Sequence, residues 1–160
     1  GIASESEIAA VDVQELIQPE RFCRLMNGAL PRDFTVSNAA LALWDKGGKK
    51  PDALMSLYWG SRYRIERTTP RDRSLSQSEL ADALRVSDGV SDFQLRNGTI
   101  ELTLESDSGR IPGIKSLLTE ILGGNPIERG VSVTRLAMFA KDSRIGKPVR
   151  YVDLPQFSAE

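Results

Sequence analysis

The feature that most constrains this chain is one stretch in which polar and apolar residues alternate strictly. Residues 99–105 read Thr-Ile-Glu-Leu-Thr-Leu-Glu, and side chains along a β-strand point alternately to opposite faces. The stretch therefore predicts a strand with one buried side and one wetter side. The buried side is expected to hold Ile100, Leu102 and Leu104, and the wetter side Thr99, Glu101 and Thr103.

A turn directly precedes this strand. Asn97 and Gly98 form a dipeptide typical of two-residue hairpin turns, because both residues tolerate a positive φ. Gln94 and Leu95 are then the candidate partner strand. The region predicts an antiparallel hairpin.

Shorter patterns predict the remaining elements. Four further segments are expected to be strands, with Trp59 and Gly60 as a break: residues 56–58, 63–67, 131–140 and 149–152. Helices are expected from apolar spacing and end signals over residues 38–44, 78–84 and 113–122. The 160 residues are about the length of one domain. Because strands and helices are interspersed, we expect a single compact α+β domain with a mainly antiparallel β-sheet packed against two or three helices.

The first twenty residues differ in charge from the rest of the chain. They carry five acidic residues and no basic one. Residues 4–18 have a loosely helical apolar spacing, and Pro19 is expected to end that segment or to open a new turn. We therefore divide the chain into an acidic N-terminal segment, residues 1–20, and an α+β core domain, residues 21–160.

Positive charge is concentrated in one part of the chain. The net charge is −1, but residues 46–73 hold eight Lys and Arg against three Asp and Glu. This surplus of five positive charges indicates either a contact for phosphate or anionic lipid, or a solvated strand-and-turn surface. As a binding site, this basic patch would consist of Lys46, Lys49, Lys50, Arg62, Arg64, Arg67, Arg71 and Arg73.

The residue types that serve common catalytic and metal sites are scarce. The chain has no histidine and a single cysteine, Cys23. Histidine-dependent catalytic triads, histidine metal sites and cysteine-cluster metal sites are therefore excluded. Gly47, Gly48 and Lys49 resemble a phosphate loop only superficially, since the first glycine and the hydroxyl after the lysine are missing. We expect a protein that is not an enzyme and that needs no cofactor or metal.

A DNA-binding regulator is one alternative. Residues 77–98 hold apolar and small residues in an order similar to a repressor-type helix-turn-helix. The step from Ser87 to Val90 is one residue short, and the second helix would be acidic where it should meet phosphates. The other interpretation of the same residues is a capped surface helix followed by a loop.

Three segments, in this order along the chain, carry a resemblance to a known family. Residues 34–45 are rich in alanine and end in Trp-Asp. Residues 48–61 contain a basic Gly-Lys-Lys-Pro turn and an apolar stretch that ends in Gly-Ser. Residues 97–157 open with Asn-Gly-Thr-Ile-Glu-Leu-Thr and continue through a helix and Leu-Ala-Met-Phe-Ala to Phe157. Together they resemble rhabdovirus matrix proteins of the vesiculovirus type.

The resemblance implies a structural viral protein. Such a matrix protein self-associates, condenses the ribonucleoprotein and links it to the inner face of the envelope during assembly and budding. The basic patch would contact the nucleocapsid or anionic inner-leaflet lipids, with the envelope glycoprotein and host factors as further partners and no small-molecule substrate. The protein would lie in the virion beneath the envelope, and in the host cytoplasm, at membranes or in the nucleus. Besides the DNA-binding regulator, an interaction module unrelated to viruses is the alternative.

The apolar residues of the N-terminal segment need a partner, because a short isolated helix is marginal in water. The resemblance implies that this segment reaches a neighbouring subunit head-to-tail and so builds a polymer. Packing against its own chain is the alternative. The residues assigned to self-association are Ile8, Val11, Leu16, Ile17, Tyr58, Trp59 and Tyr63.

Overall fold

Six strands and three helices are found in the part of the chain that the structure describes. This computed structural model describes residues 2–5, 7–41, 57–68, 75–106, 113–141 and 148–150. The strands are β1 (Ala3–Ser4), β2 (Tyr58–Arg67), β3 (Val90–Arg96), β4 (Thr99–Glu105), β5 (Val131–Lys141) and β6 (Pro148–Arg150). The helices are α1 (Pro19–Ala29), α2 (Gln77–Arg85) and α3 (Ile114–Leu122).

The strands form one sheet in the order β1-β5-β2-β4-β3, and β6 also pairs with β5. All neighbours are antiparallel except β1 with β5. Consequently β2 and β3 are parallel to each other, with β4 between them, and α2 connects β2 to β3. Strands β4 and β5 are likewise parallel, with β2 between them, and α3 connects β4 to β5. This is the split β-α-β topology of ferredoxin-like folds, and the predicted α+β domain with a mainly antiparallel sheet is confirmed.

The two connecting helices pack on one side of the sheet, which we call the helix face. Ile100, Leu102 and Leu104 of β4 are at most 2% exposed, as predicted. They belong to the same core as Leu80 of α2 and Leu118 of α3, both of which are fully buried. Alternation along β4 therefore places the core as the sequence indicates.

One part of the burial prediction for β4 is wrong. Thr103 points away from the helix face, yet it is only 1% exposed. It lies between Arg62 of β2 and Ser91 of β3, because β4 is a central strand. Neighbours on both sides therefore exclude water from this short side chain.

The predicted hairpin is confirmed. Asn97 and Gly98 have φ values of 49° and 78°, which is the combination of a type I′ turn. The helix-turn-helix interpretation of residues 77–98 is wrong, since α2 is followed by a turn and then by β3 rather than by a second helix. Ser76 and Glu79 instead form a capping box at the start of α2.

A single strand replaces the two predicted at residues 56–58 and 63–67. β2 runs through Trp59 and Gly60, and its register on β5 shifts at this point. A Cβ atom on Gly60 would lie 2.7 Å from the carbonyl oxygen of Leu104. The glycine therefore permits close approach of β4 and does not end the strand.

The N-terminal third also differs from the prediction. Of the predicted helix at residues 4–18, the described residues form none: Ser4 ends β1, and residues 7–18 have no regular secondary structure. Helix α1 begins at Pro19, a residue suited to the first helical turn because it has no backbone N–H to leave unpaired. Its span includes the predicted boundary between residues 20 and 21.

Two further predictions fall partly outside the described residues. The predicted helix at residues 38–44 is absent over residues 38–41, and its remainder lies outside them. The predicted strand at residues 149–152 corresponds to β6, of which the structure describes Pro148–Arg150. The helix predicted at residues 113–122 is confirmed as α3, with Gly113 at its N-cap.

Candidate binding face of the sheet

The side of the sheet opposite the helix face carries polar and charged side chains, and we call it the polar face. The alternation that directs apolar side chains toward α2 and α3 directs these residues the other way. Of the described helices, α2 and α3 pack on the helix face and α1 buries no residue. The polar face includes Arg62, Arg64, Glu66, Ser91, Gln94, Arg96, Thr99, Glu101, Thr103, Glu105, Ser132 and Thr134, and the same registers place Ala137 and Phe139 at its β5 end.

An ion-pair network crosses the centre of the polar face. The Nη2 atom of Arg62 donates to Oε2 of Glu101 at 2.9 Å. The Nε atom of Arg64 lies 3.5 Å from Oε1 of Glu101, and its Nη1 donates to Oε1 of Glu5 at 3.3 Å. The side chains of Arg62, Arg64 and Glu101 are 33%, 35% and 29% exposed. These charges are therefore partly desolvated and less screened by salt than fully exposed pairs.

A small surface pocket adjoins this network. It is lined by Gln94, Arg96, Thr99 and Glu101. Arg96 forms no ion pair with any described residue. The pocket thus offers guanidinium, amide and hydroxyl donors beside a carboxylate that two arginines already share. Such a set of donors suits an anionic group.

The described residues include only part of the predicted basic patch. Arg62 and Arg64 lie on the polar face, and Arg67 ends β2 opposite Val131. Because Arg62 and Arg64 pair with carboxylates, this part of the patch is a surface of mixed charge. The other predicted members lie outside the described residues: Lys46, Lys49, Lys50, Arg71 and Arg73.

The residues assigned to self-association fall into two groups. Val11 and Leu16 are 56% and 69% exposed. The others are buried or half-buried within their own chain: Ile8, Ile17, Tyr58, Trp59 and Tyr63. Ile8 packs in a small apolar cluster with Leu57 and Tyr58, so the start of the N-terminal segment lies against its own sheet. Self-association itself stays a prediction.

Sequence reasoning missed several members of the polar face. Glu101 was expected to be wetter than its neighbours, but nothing identified it as the partner of two arginines. Arg62 and Glu101 are 39 residues apart in sequence, and their contact depends on the pairing of β2 with β4. Gln94 and Arg96 of β3 join the polar face through the pairing of β3 with β4. Only alternation, combined with the strand order, could have found them.

The described ranges contain neither a metal cluster nor a candidate membrane span. Within them, no group of three or more His, Cys, Asp and Glu side chains could hold a metal ion. None of the helices described there combines the length and apolar character needed to cross a membrane.

Comparison with known families gives a match over most of the chain. The model of a family described as an uncharacterized protein conserved in bacteria (DUF2344) matches residues 1–127. No curated protein sequence matches the chain, and neither does any solved structure.

The family match overturns the resemblance to rhabdovirus matrix proteins. It includes the first two segments that carried the resemblance and the beginning of the third, and it points to a bacterial protein. The prediction that this chain acts in viral assembly, ribonucleoprotein condensation and budding is therefore wrong. Short helix, turn and strand patterns recur in unrelated α+β domains, so their order alone does not indicate common function. Since the family model spans most of its length, the chain belongs to the family of uncharacterized proteins conserved in bacteria (DUF2344).

Proposed function

We propose that this domain is a non-enzymatic binding module that recognises an anionic segment of a protein partner through the polar face. The observation that carries the proposal is the network of Arg62, Glu101 and Arg64, with Arg96 beside it, on a face left open by the described helices. Arginine is enriched at protein interfaces and binds carboxylates through two parallel donors. The chain has no histidine, so acid–base chemistry near neutral pH would require an unusual group.

The composition of the polar face favours a protein over a nucleic acid. Ferredoxin-like domains that bind single-stranded RNA stack bases on aromatic side chains of their central strands. From Gly60 to Glu66 of β2 and along all of β4, the polar face presents arginine, glutamate and threonine instead. Mixed charge of this kind gives specificity and orientation at protein–protein contacts.

An NMR titration of ¹⁵N-labelled protein with a short glutamate-rich peptide tests the proposal. Amide signals of β2, β3 and β4 are expected to shift, and added salt should weaken the binding. Arg96→Ala should reduce the affinity about tenfold, the effect of one charged hydrogen bond. Arg85→Ala is the matched control, because Arg85 is an exposed arginine of α2.

A parallel titration with a single-stranded oligonucleotide distinguishes the two classes of partner. Tighter binding of the oligonucleotide at the same strands would favour a nucleic acid. A peptide that shifts no signal of the polar face, or that binds Arg96→Ala as tightly as the unaltered chain, would contradict the proposal.

A further inference from the structure

A second polar cluster lies on the helix face, where β2 and β5 pair. Tyr63 of β2 is opposite Arg135 of β5, and the guanidinium carbon of Arg135 lies 5.8 Å from the centre of the Tyr63 ring. The hydroxyls of Tyr58 and Ser61 share a hydrogen bond of 2.8 Å. Ser61 and Tyr63 are 0% and 3% exposed. One cation and three hydroxyl groups are therefore held in a largely buried region.

The N-terminal segment supplies a carboxylate to this cluster. The Nη1 atom of Arg135 donates to Oε1 of Glu7 at 2.6 Å. The side chain of Glu7 is 62% exposed, whereas that of Arg135 is 24% exposed. Glu7 follows the two-residue strand β1 and precedes a stretch without regular secondary structure. An exposed carboxylate thus fills a cationic site that the sheet itself has built.

Glu7 leaves one donor of Arg135 unused. The Nε atom of Arg135 is buried and has no hydrogen-bond partner. A buried donor without a partner is costly, and arginine binds carboxylates and phosphates best through two parallel N–H bonds. Glu7 accepts a hydrogen bond only from Nη1. An oxyanion that accepts from both Nε and a terminal nitrogen of Arg135 would also satisfy the buried Nε–H.

The neighbouring groups are in the protonation states that bind oxyanions. Burial raises the pKa of Tyr58, and the hydrogen bond with Ser61 offsets only part of this rise. Burial acts to lower the pKa of Arg135, but its contact with Tyr63 and the charge of Glu7 outweigh this, and the pKa is raised. At neutral pH the cluster therefore contains a permanent cation beside the protonated hydroxyl of Tyr58.

We propose that Arg135, together with Tyr58, Ser61 and Tyr63, forms a binding site for an oxyanion, either a carboxylate or a phosphate group, and that Glu7 is its internal occupant. A ligand binds by displacing Glu7, so the ion pair between Glu7 and Arg135 lowers the apparent affinity of the ligand for the site. The site lies on the opposite side of the sheet from the polar face. It does not depend on the function proposed for that face.

The Nε–H signal of Arg135 in ¹H–¹⁵N NMR spectra of the full chain reports binding at the unused donor. Inorganic phosphate and acetate are titrated separately, with ionic strength held constant by sodium chloride. Either anion should shift this signal in a saturable manner. Glu7→Gln should bind about fivefold more tightly, the upper range for an exposed ion pair. Glu5→Gln removes the neighbouring carboxylate on the polar face and should leave the affinity unchanged.

Two further variants test the roles of the cation and the hydroxyls. The Arg135→Lys variant lacks the Nε–H signal, and this loss assigns the signal to Arg135. Adding either anion to this variant should leave its backbone amide signals unshifted, because anion binding is abolished. Tyr58→Phe keeps the ring but removes one hydroxyl, and it should weaken binding about threefold to tenfold. Tighter binding of phosphate would assign a phosphate ligand, and tighter binding of acetate a carboxylate. The proposal is wrong if neither anion shifts the Arg135 signal in Glu7→Gln, or if the Lys and Phe variants bind as tightly as the unaltered chain.

Discussion

At the scale of single residues, Gly60 determines how closely two central strands approach. A Cβ atom there would meet the Leu104 carbonyl oxygen at 2.7 Å and the Glu105 Cα at 3.2 Å, and both are backbone atoms that cannot rotate away. We expect Gly60→Ala to lower the free energy of unfolding by about 1–3 kcal/mol, as measured by urea denaturation. Gly28→Ala in α1, where no atom lies within 4 Å of the added Cβ, should cause no loss because alanine favours helix. Equal stability of the two variants would show that β2 and β4 separate easily.

The ion pair between Arg62 and Glu101 is also a property of individual residues. It is 2.9 Å long and about two thirds buried, whereas the pair between Arg85 and Asp82 is 3.7 Å long and mostly exposed. A double-mutant cycle with Arg62→Ala and Glu101→Gln should give a coupling free energy of about 1 kcal/mol. The corresponding cycle at Arg85 and Asp82 should give less than about 0.5 kcal/mol. Similar coupling in both cycles would mean that the polar face is as solvated as α2.

At the scale of secondary-structure elements, the start of α2 depends on a reciprocal pair of hydrogen bonds. The Ser76 hydroxyl accepts from the Glu79 backbone N–H, and the Glu79 carboxylate accepts from the Ser76 backbone N–H at 2.6 Å. Ser76→Ala should lower the free energy of unfolding by about 1 kcal/mol in thermal or urea denaturation. Ser116→Ala is the control, because Ser116 is in the first turn of α3 but α3 has no side-chain cap. A loss of the same size in both variants would contradict a specific role for the capping box.

The same capping box makes the stability of α2 depend on pH. The Ser76 side-chain and backbone hydrogen bonds lower the pKa of Glu79 below its ordinary value of 4.5. Because the pKa of the folded state is the lower one, this stabilisation is fully present above the unfolded-state pKa and is lost as the pH falls through the folded-state pKa. Urea unfolding of Glu79→Gln and of the unaltered chain should therefore differ most near neutral pH and converge on acidification. A difference that is independent of pH would exclude this contribution.

The elements that sequence patterns predicted correctly are those with local causes. The hairpin of β3 and β4 follows from Asn97, Gly98 and the alternation after them, while α2 and α3 follow from apolar spacing and end signals. Helix α1 makes a contact outside its own span near its C-terminal end. The Asn27 side chain donates to the Val36 carbonyl and accepts from the Val36 N–H. No periodicity within α1 contains that information.

At the scale of the whole molecule, neither the strand order nor the candidate site could be predicted from local patterns. Alternation assigned Glu101 to one side of β4, but only the pairing of β2 with β4 places it between Arg62 and Arg64. The same holds for Arg135 and Glu7, which are 128 residues apart. The resemblance to the viral family was wrong because short matching segments reflect local conformation. They do not reflect the topology that joins them.

The N-terminal segment is the part of the molecule whose role depends most on the complete fold. Ile2 packs against the main core and Ile8 against a second apolar cluster, while β1 pairs with β5. Deleting residues 1–8 removes these half-buried side chains and should lower the free energy of unfolding by roughly 2 kcal/mol. It also uncovers the β5 edge beside Thr134, and an unpaired edge strand promotes pairing with another copy.

Urea denaturation and sedimentation velocity of this truncated chain measure both effects. We expect lower stability together with more dimer or larger species than the unaltered chain forms. A double variant at two exposed residues, Val11→Ser with Leu16→Ser, is the control and should change neither quantity if the segment packs only within its own chain. A loss of self-association in this control would instead identify the exposed residues as an interface between copies. If the truncated chain is as stable as the unaltered chain, residues 1–8 do not stabilise their own domain. The packing of Ile2 and Ile8 against the two apolar clusters predicts the opposite result.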